Sequence, residues 1–174
     1  MKLNQAKLQK LKWIIYAVIL LVLYILQTTP LLFQILGIKP VLLVPFAVCL
    51  SLFESEKAAA AYAIAAGLLW DISSNKLFGF RAILLMCCCI SVTLLVMYLM
   101  RNKLINGLFF VLCVMLIIEL LDYVFFYVIW GYSNHHLILL NYLLPTLIYT
   151  VIITIPMYFL VRKIAAKFNE TLRM

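Results

Sequence analysis

Charge is what this chain has least of. Lysine, arginine, aspartate and glutamate make up 11% of its 174 residues, against about 25% in an ordinary soluble domain. Fourteen basic and six acidic side chains cannot clothe so apolar a chain in water, so a soluble enzyme is excluded. Paired metal or redox cysteines are missing too. Cys49, Cys87, Cys88, Cys89 and Cys113 all lie in apolar segments, with no C-x-x-C and no histidine at ligand spacing. They read as reduced, small packing residues. The run Cys87-Cys88-Cys89 points three ways around a helix and cannot form one metal site. Adjacent His135 and His136 read as part of a solvated loop. A glycine-rich phosphate loop, an H-E-x-x-H pair and a nucleophile motif are also lacking. No catalytic, cofactor-binding or metal-binding residue is assigned on these grounds, and no cofactor.

What is present is apolar. Hydrophobic residues reach 68% and the mean hydropathy is +1.17, the composition of an all-α, polytopic membrane protein. Six apolar stretches predict six transmembrane helices over about 13–33, 40–54, 58–71, 78–100, 104–130 and 137–161, forming one integral membrane domain over 1–174. The segment Met1 to Lys12 is expected to be a short amphipathic helix lying on the cytoplasmic leaflet. Gln27-Thr28-Thr29-Pro30, after the first span, is not a small-x-small cleavage site, so the first helix is read as uncleaved. The apolar part of the third span, Ala58 to Trp70, would be only about 20 Å long, against about 30 Å of hydrocarbon.

The net charge of +8 is settled by its placement. Lys2, Lys7, Lys10 and Lys12 precede the first span, and Arg162, Lys163, Lys167 and Arg173 follow the last. On the six-span layout the two termini and the even loops hold 11 of the 14 basic residues; Lys39, Lys76 and Arg81 fall in the odd loops. Both termini are therefore expected in the cytoplasm, and the charge is a topology signal, not a nucleic-acid surface.

The most informative stretch runs from Ala58 to Ala82. Its alanines and Gly67 let a second backbone approach, which matters where packing holds helices together in lipid. Asp71 closes that helix and can bond to the amides opening the next; Gly79 permits a tight turn. On the fifth span, Glu119 and Asp122 stand three apart on one face. An ionisable group within a span is a functional candidate, and three readings compete: a proton or cation pathway, a structural contact of Asp122 with Arg81, and a partner's transmembrane helix meeting this face. Pro30, Pro40, Pro45, Pro145 and Pro156 free carbonyls within or beside spans, as ordinary membrane helices and broken transporter helices both do.

Gly67-x-x-x-Asp71 ending one helix, with Gly79 at the start of the next, resembles the signature of the rod shape-determining protein MreD family. The similarity extends to Gln27 near the end of the first helix, Lys39-Pro40 opening the second, Glu119 or Asp122 in the fifth and Pro145 in the sixth. Val41 stands where many relatives place a polar or acidic residue, so no partner contact is carried over to it. The resemblance implies a non-enzymatic protein of the bacterial cytoplasmic membrane. It would work in cell elongation beside an MreC-like bitopic partner, in machinery linking MreB filaments to peptidoglycan synthesis by RodA and a penicillin-binding transpeptidase. A homo-oligomer is compatible with it. The partner or structural candidates are Gly67, Asp71, Gly79, Arg81, Glu119, Asp122, Pro40 and Pro145. The build is also similar to the substrate-binding subunits of energy-coupling-factor vitamin transporters. That alternative would need a pocket, for which Tyr123, Tyr127, Trp130, Asn134 and His135 are the candidate lining.

Overall fold

A chain with neither glycine nor proline between residues 2 and 29 has no reason to interrupt a helix there, and it does not. The computed structural model describes residues 2–29, 40–74, 77–99, 103–125 and 144–173. Over them the protein is all-helical, with six helices: α1 Lys2–Thr28, α2 Leu43–Phe53, α3 Glu56–Ser74, α4 Phe80–Tyr98, α5 Leu104–Tyr123 and α6 Leu144–Arg173. The segment expected to lie on the leaflet is instead the first turns of α1, continuous with the span. At the other end of α1, the hydroxyls of Thr28 and Thr29 donate back to the Ile25 carbonyl at 3.1 and 2.6 Å, taking up carbonyls left open by the helix terminus.

Among the described residues, four helical segments are long and apolar enough to cross a membrane: Lys7–Thr28, Phe80–Tyr98, Leu104–Tyr123 and Leu144–Phe168. The remaining two fall short for different reasons. α2 has 11 residues, about 16 Å against about 30 Å of hydrocarbon. α3 is long enough, with 19 residues spanning about 28 Å, but Glu56, Lys57 and Asp71 make it too polar. It is longer than the expected 58–71, because Ile72, Ser73 and Ser74 continue it beyond Asp71 and Glu56 and Lys57 form its first turn. An acid is at home there, facing the positive end of the helix dipole.

The short helix is the centre of the bundle. α2 packs against each of the other five helices, and every residue from Leu43 to Leu52 is buried. Such a helix has no lipid-facing side, which is why its sequence is apolar all round. Pro45, which falls inside the expected second span, sits in the first turn of α2, where an amide has no intrahelical partner to lose. Ser51 donates to the Ala47 carbonyl at 2.9 Å, and Thr93 of α4 donates to the Ser51 carbonyl at 3.1 Å, so the buried hydroxyls are satisfied by backbone.

Residues 126–143 separate α5 from α6 and lie outside the described set, as do 30–39. The expected ends of the first and fifth spans, the start of the sixth, and Tyr127, Trp130, Asn134, His135 and His136 therefore cannot be placed. Pro145 lies in the first turn of α6, and Pro156 lies inside that helix, which continues beyond 161 to Arg173. The three adjacent cysteines do face three ways: Cys87 is exposed, Cys88 half-buried and Cys89 buried.

Candidate functional site

α3 and α4 form the most extensive helix pair in the bundle, and two residues one turn apart explain how. A Cβ built on Gly67 would stand 2.3 Å from the Cα of Ala82. The two backbones touch at that point, and any side chain would force them apart. One turn later on the same face, Asp71 accepts a hydrogen bond from the Gly79 amide at 2.8 Å. The amides of Arg81 and Ala82 also face its carboxylate. Asp71 thus does for α4 what a capping side chain does from within a helix: it satisfies amides that have no intrahelical partner. Gly79, the residue before α4, has φ +91°, a left-handed conformation that costs other residues roughly 1–2 kcal/mol. Nothing lies within 4 Å of its missing Cβ, so the turn needs this glycine for its backbone angle, whereas Gly67 is needed for space.

Arg81 turns inward from the second residue of α4. Its Nε donates to Asp122 Oδ2 of α5 at 2.9 Å, and Nη2 pairs with the same oxygen. The guanidinium also lies over the Trp70 ring, 4.4 Å from the centroid, combining a cation–π contact with the ion pair. Asp71, Arg81 and Asp122 are 2%, 6% and 3% exposed. A single cation therefore holds α5 through Asp122 and α3 through Trp70, beside a second carboxylate that organises the turn. Glu119, one turn from Asp122 on α5, is half-buried.

The signature spacing now has a physical meaning, close approach first and capping four residues later. The model of the family described as rod shape-determining protein MreD matches residues 7–168, nearly the whole chain and all of this hairpin. The chain belongs to the MreD family. Membership in MreD carries a role in rod shape determination, and the four long apolar helices make this a membrane protein. Neither the curated proteins nor the solved structures hold a match to the chain.

Of the residues singled out in this MreD-family sequence, the structure gathers Gly67, Asp71, Gly79, Arg81 and Asp122 into one unit. Pro40 lies apart from it, immediately before α2, on a cavity of about 370 Å³ shared with Gln27, Trp70 and Ser73. Pro145 opens α6 and belongs to neither place. The candidate pocket lining is represented among the described residues by Tyr123 alone, which is half-buried.

Two arrangements escaped sequence reasoning. Gln27 Oε1 accepts from the amides of Leu42 and Leu43 at 2.9 and 3.2 Å, and Thr150 Oγ1 accepts from Val41 at 3.2 Å. The start of α2 is thus capped from α1 and α6, as the start of α4 is capped from α3. The second is an ion pair at the lysine-rich end. Lys12 Nζ reaches Glu54 Oε1 and Oε2 at 2.6 and 2.8 Å, and Tyr16 donates to Glu54 at 3.0 Å. Around it, Trp13 stacks on Tyr62 with centroids 5.9 Å apart, and the Tyr62 hydroxyl donates to the Trp13 carbonyl at 2.7 Å. A helix ending near a glutamine was a visible signal for the first; for the second, Glu54 in the short charged run Glu54-Ser55-Glu56-Lys57 at a span end gave none.

Proposed function

We propose that this protein is a non-enzymatic scaffold of the bacterial cell-elongation complex, crossing the cytoplasmic membrane six times with both termini in the cytoplasm. It binds an MreC-like bitopic protein and helps couple MreB filaments to peptidoglycan synthesis by RodA and a penicillin-binding transpeptidase. The family match over residues 7–168 carries this reading. On a six-span layout α2 and α3 are spans held by their neighbours instead of by lipid. The hairpin contributes rigidity: with Gly67, Asp71, Arg81 and Asp122 fixing three helices to one another, a partner meets a preformed surface, and little ordering cost is charged to binding.

The test is affinity purification from native membranes in mild detergent, with mass spectrometry of the bound proteins. An MreC-like bitopic protein is expected, and Asp71→Ala or Gly79→Leu should lower its recovery while the variant still inserts. Full recovery with both variants would remove the hairpin from partner binding. Recovery of a coupling subunit with paired ATPases in place of the bitopic protein would overturn the scaffold reading in favour of vitamin uptake.

A further inference from the structure

Between α1 and α3, at the lysine-rich end of the bundle, runs an open groove of about 420 Å³, on the outer side of the rings that surround the Lys12–Glu54 pair. Its wall is the stacked pair Trp13 and Tyr62, held by the Tyr62 hydroxyl on the Trp13 carbonyl. Its floor is Ala58, Ala61 and Ala65, which share one face of α3 at spacings of three and four. Larger side chains at these positions would fill the trough. Ser55 and Lys57 close one end, and the rest of the lining is apolar apart from the Tyr62 hydroxyl.

Two cations at that end face solvent, beside the exposed acid Glu56. Lys57 is exposed and forms no ion pair among the described residues. Lys10 is exposed as well and stands one turn before Trp13, on the same side of α1. Lys12, by contrast, is turned inward to Glu54. A dry trough with cations at one end matches an anionic amphiphile.

We propose that this groove binds an anionic glycerophospholipid, with one acyl chain in the alanine trough and the phosphate at Lys57 and Lys10. Attraction of each lysine to anionic lipid multiplies affinity by about five-fold. The lipid would fill the gap between α1 and α3 and so tie the lysine-rich start of α1 to the rest of the bundle.

Native mass spectrometry of the full chain, equilibrated in detergent with equal phosphatidylglycerol and phosphatidylethanolamine, tests this. Retained phosphatidylglycerol is expected in excess, and Lys57→Gln should reduce it about five-fold. Ala61→Phe, at an exposed position, should abolish retention by filling the trough, while Ile83→Phe on the exposed face of α4 should leave it unchanged. Equal retention of the two lipids, or retention that survives Ala61→Phe, overturns the proposal. If Ala61→Phe instead releases a bitopic protein from the native complex and leaves phosphatidylglycerol bound, the groove is a helix seat and the lipid assignment falls. The scaffold reading survives either outcome, because its own test is the recovery of the partner.

Discussion

The two ends of α3 hold the bundle by different means. At the hairpin end, carboxylates work on backbone and guanidinium: Asp71 caps α4, and Arg81 clamps Asp122 beneath a tryptophan. At the lysine-rich end, one carboxylate, Glu54, collects an ammonium and a phenol inside a cluster of stacked rings. The first end joins α3 to α4 to α5, its ion pair spanning 41 residues; the second joins α1 to α2 across 42. Both ion pairs are buried, with side chains 8% and 4% exposed at the hairpin and 4% and 7% exposed at the other end. What separates them is the kind of donor: Glu54 takes an ammonium and the Tyr16 hydroxyl, whereas two nitrogens of one guanidinium converge on a single Asp122 oxygen. Fixed geometry at one end thus contrasts with a tolerant aromatic nest at the other.

That contrast can be broken experimentally, and the largest effect is expected at the guanidinium. Arg81→Met removes the guanidinium from the buried Asp122 carboxylate and should cost about 3–5 kcal/mol, read as lost thermal stability in detergent; Arg81→Met with Asp122→Leu should recover most of it. If the double variant is as unstable as the single, the pair is not what fixes α4 to α5. Gly67→Leu comes next, at about 1–3 kcal/mol or more from overpacking against Ala82. Lys12→Met should cost about 1–2 kcal/mol, since Tyr16 still donates to Glu54. A loss as great as that of Arg81→Met would erase the distinction between the two ends. Asp71→Asn keeps an oxygen for the Gly79 amide and should cost about 1 kcal/mol or less, with Asp71→Ala costing more. The smallest change is expected for Glu119→Gln, in both stability and cell-shape complementation. Abolished complementation with intact folding would instead point to an ion pathway through α5.

Local signals made the hairpin legible in the sequence. Gly67, Asp71 and Gly79 lie within 13 residues of one another, at a spacing that puts two of them on one helix face, and the contact of Asp122 with Arg81 was among the readings for the fifth span. Capping of α4 by Asp71 followed from the same stretch. The Lys12–Glu54 pair was hidden because Lys12 was already accounted for as a topology signal and Glu54 lay at a span end, whereas Asp122, within a span, called for a cation. The extent of α3 was misjudged for a related reason: Glu56 and Lys57 look like a stop in a hydropathy profile but suit a helix's first turn. Continuity of α1 was underestimated because amphipathic and apolar stretches were treated as separate units, although nothing between them breaks a helix.

The shortness of α2 bears on how the chain is made. An 11-residue helix has too little length for lipid to hold it unaided, and its first amides are met by Gln27, already synthesised, and by Thr150, which the ribosome reaches much later. Val41 must wait through 109 residues for its acceptor. Until α6 arrives the central helix sits in an unfinished shell, so quality control of this protein includes a check on α6: truncation before it should leave a chain that inserts but is cleared by membrane proteases.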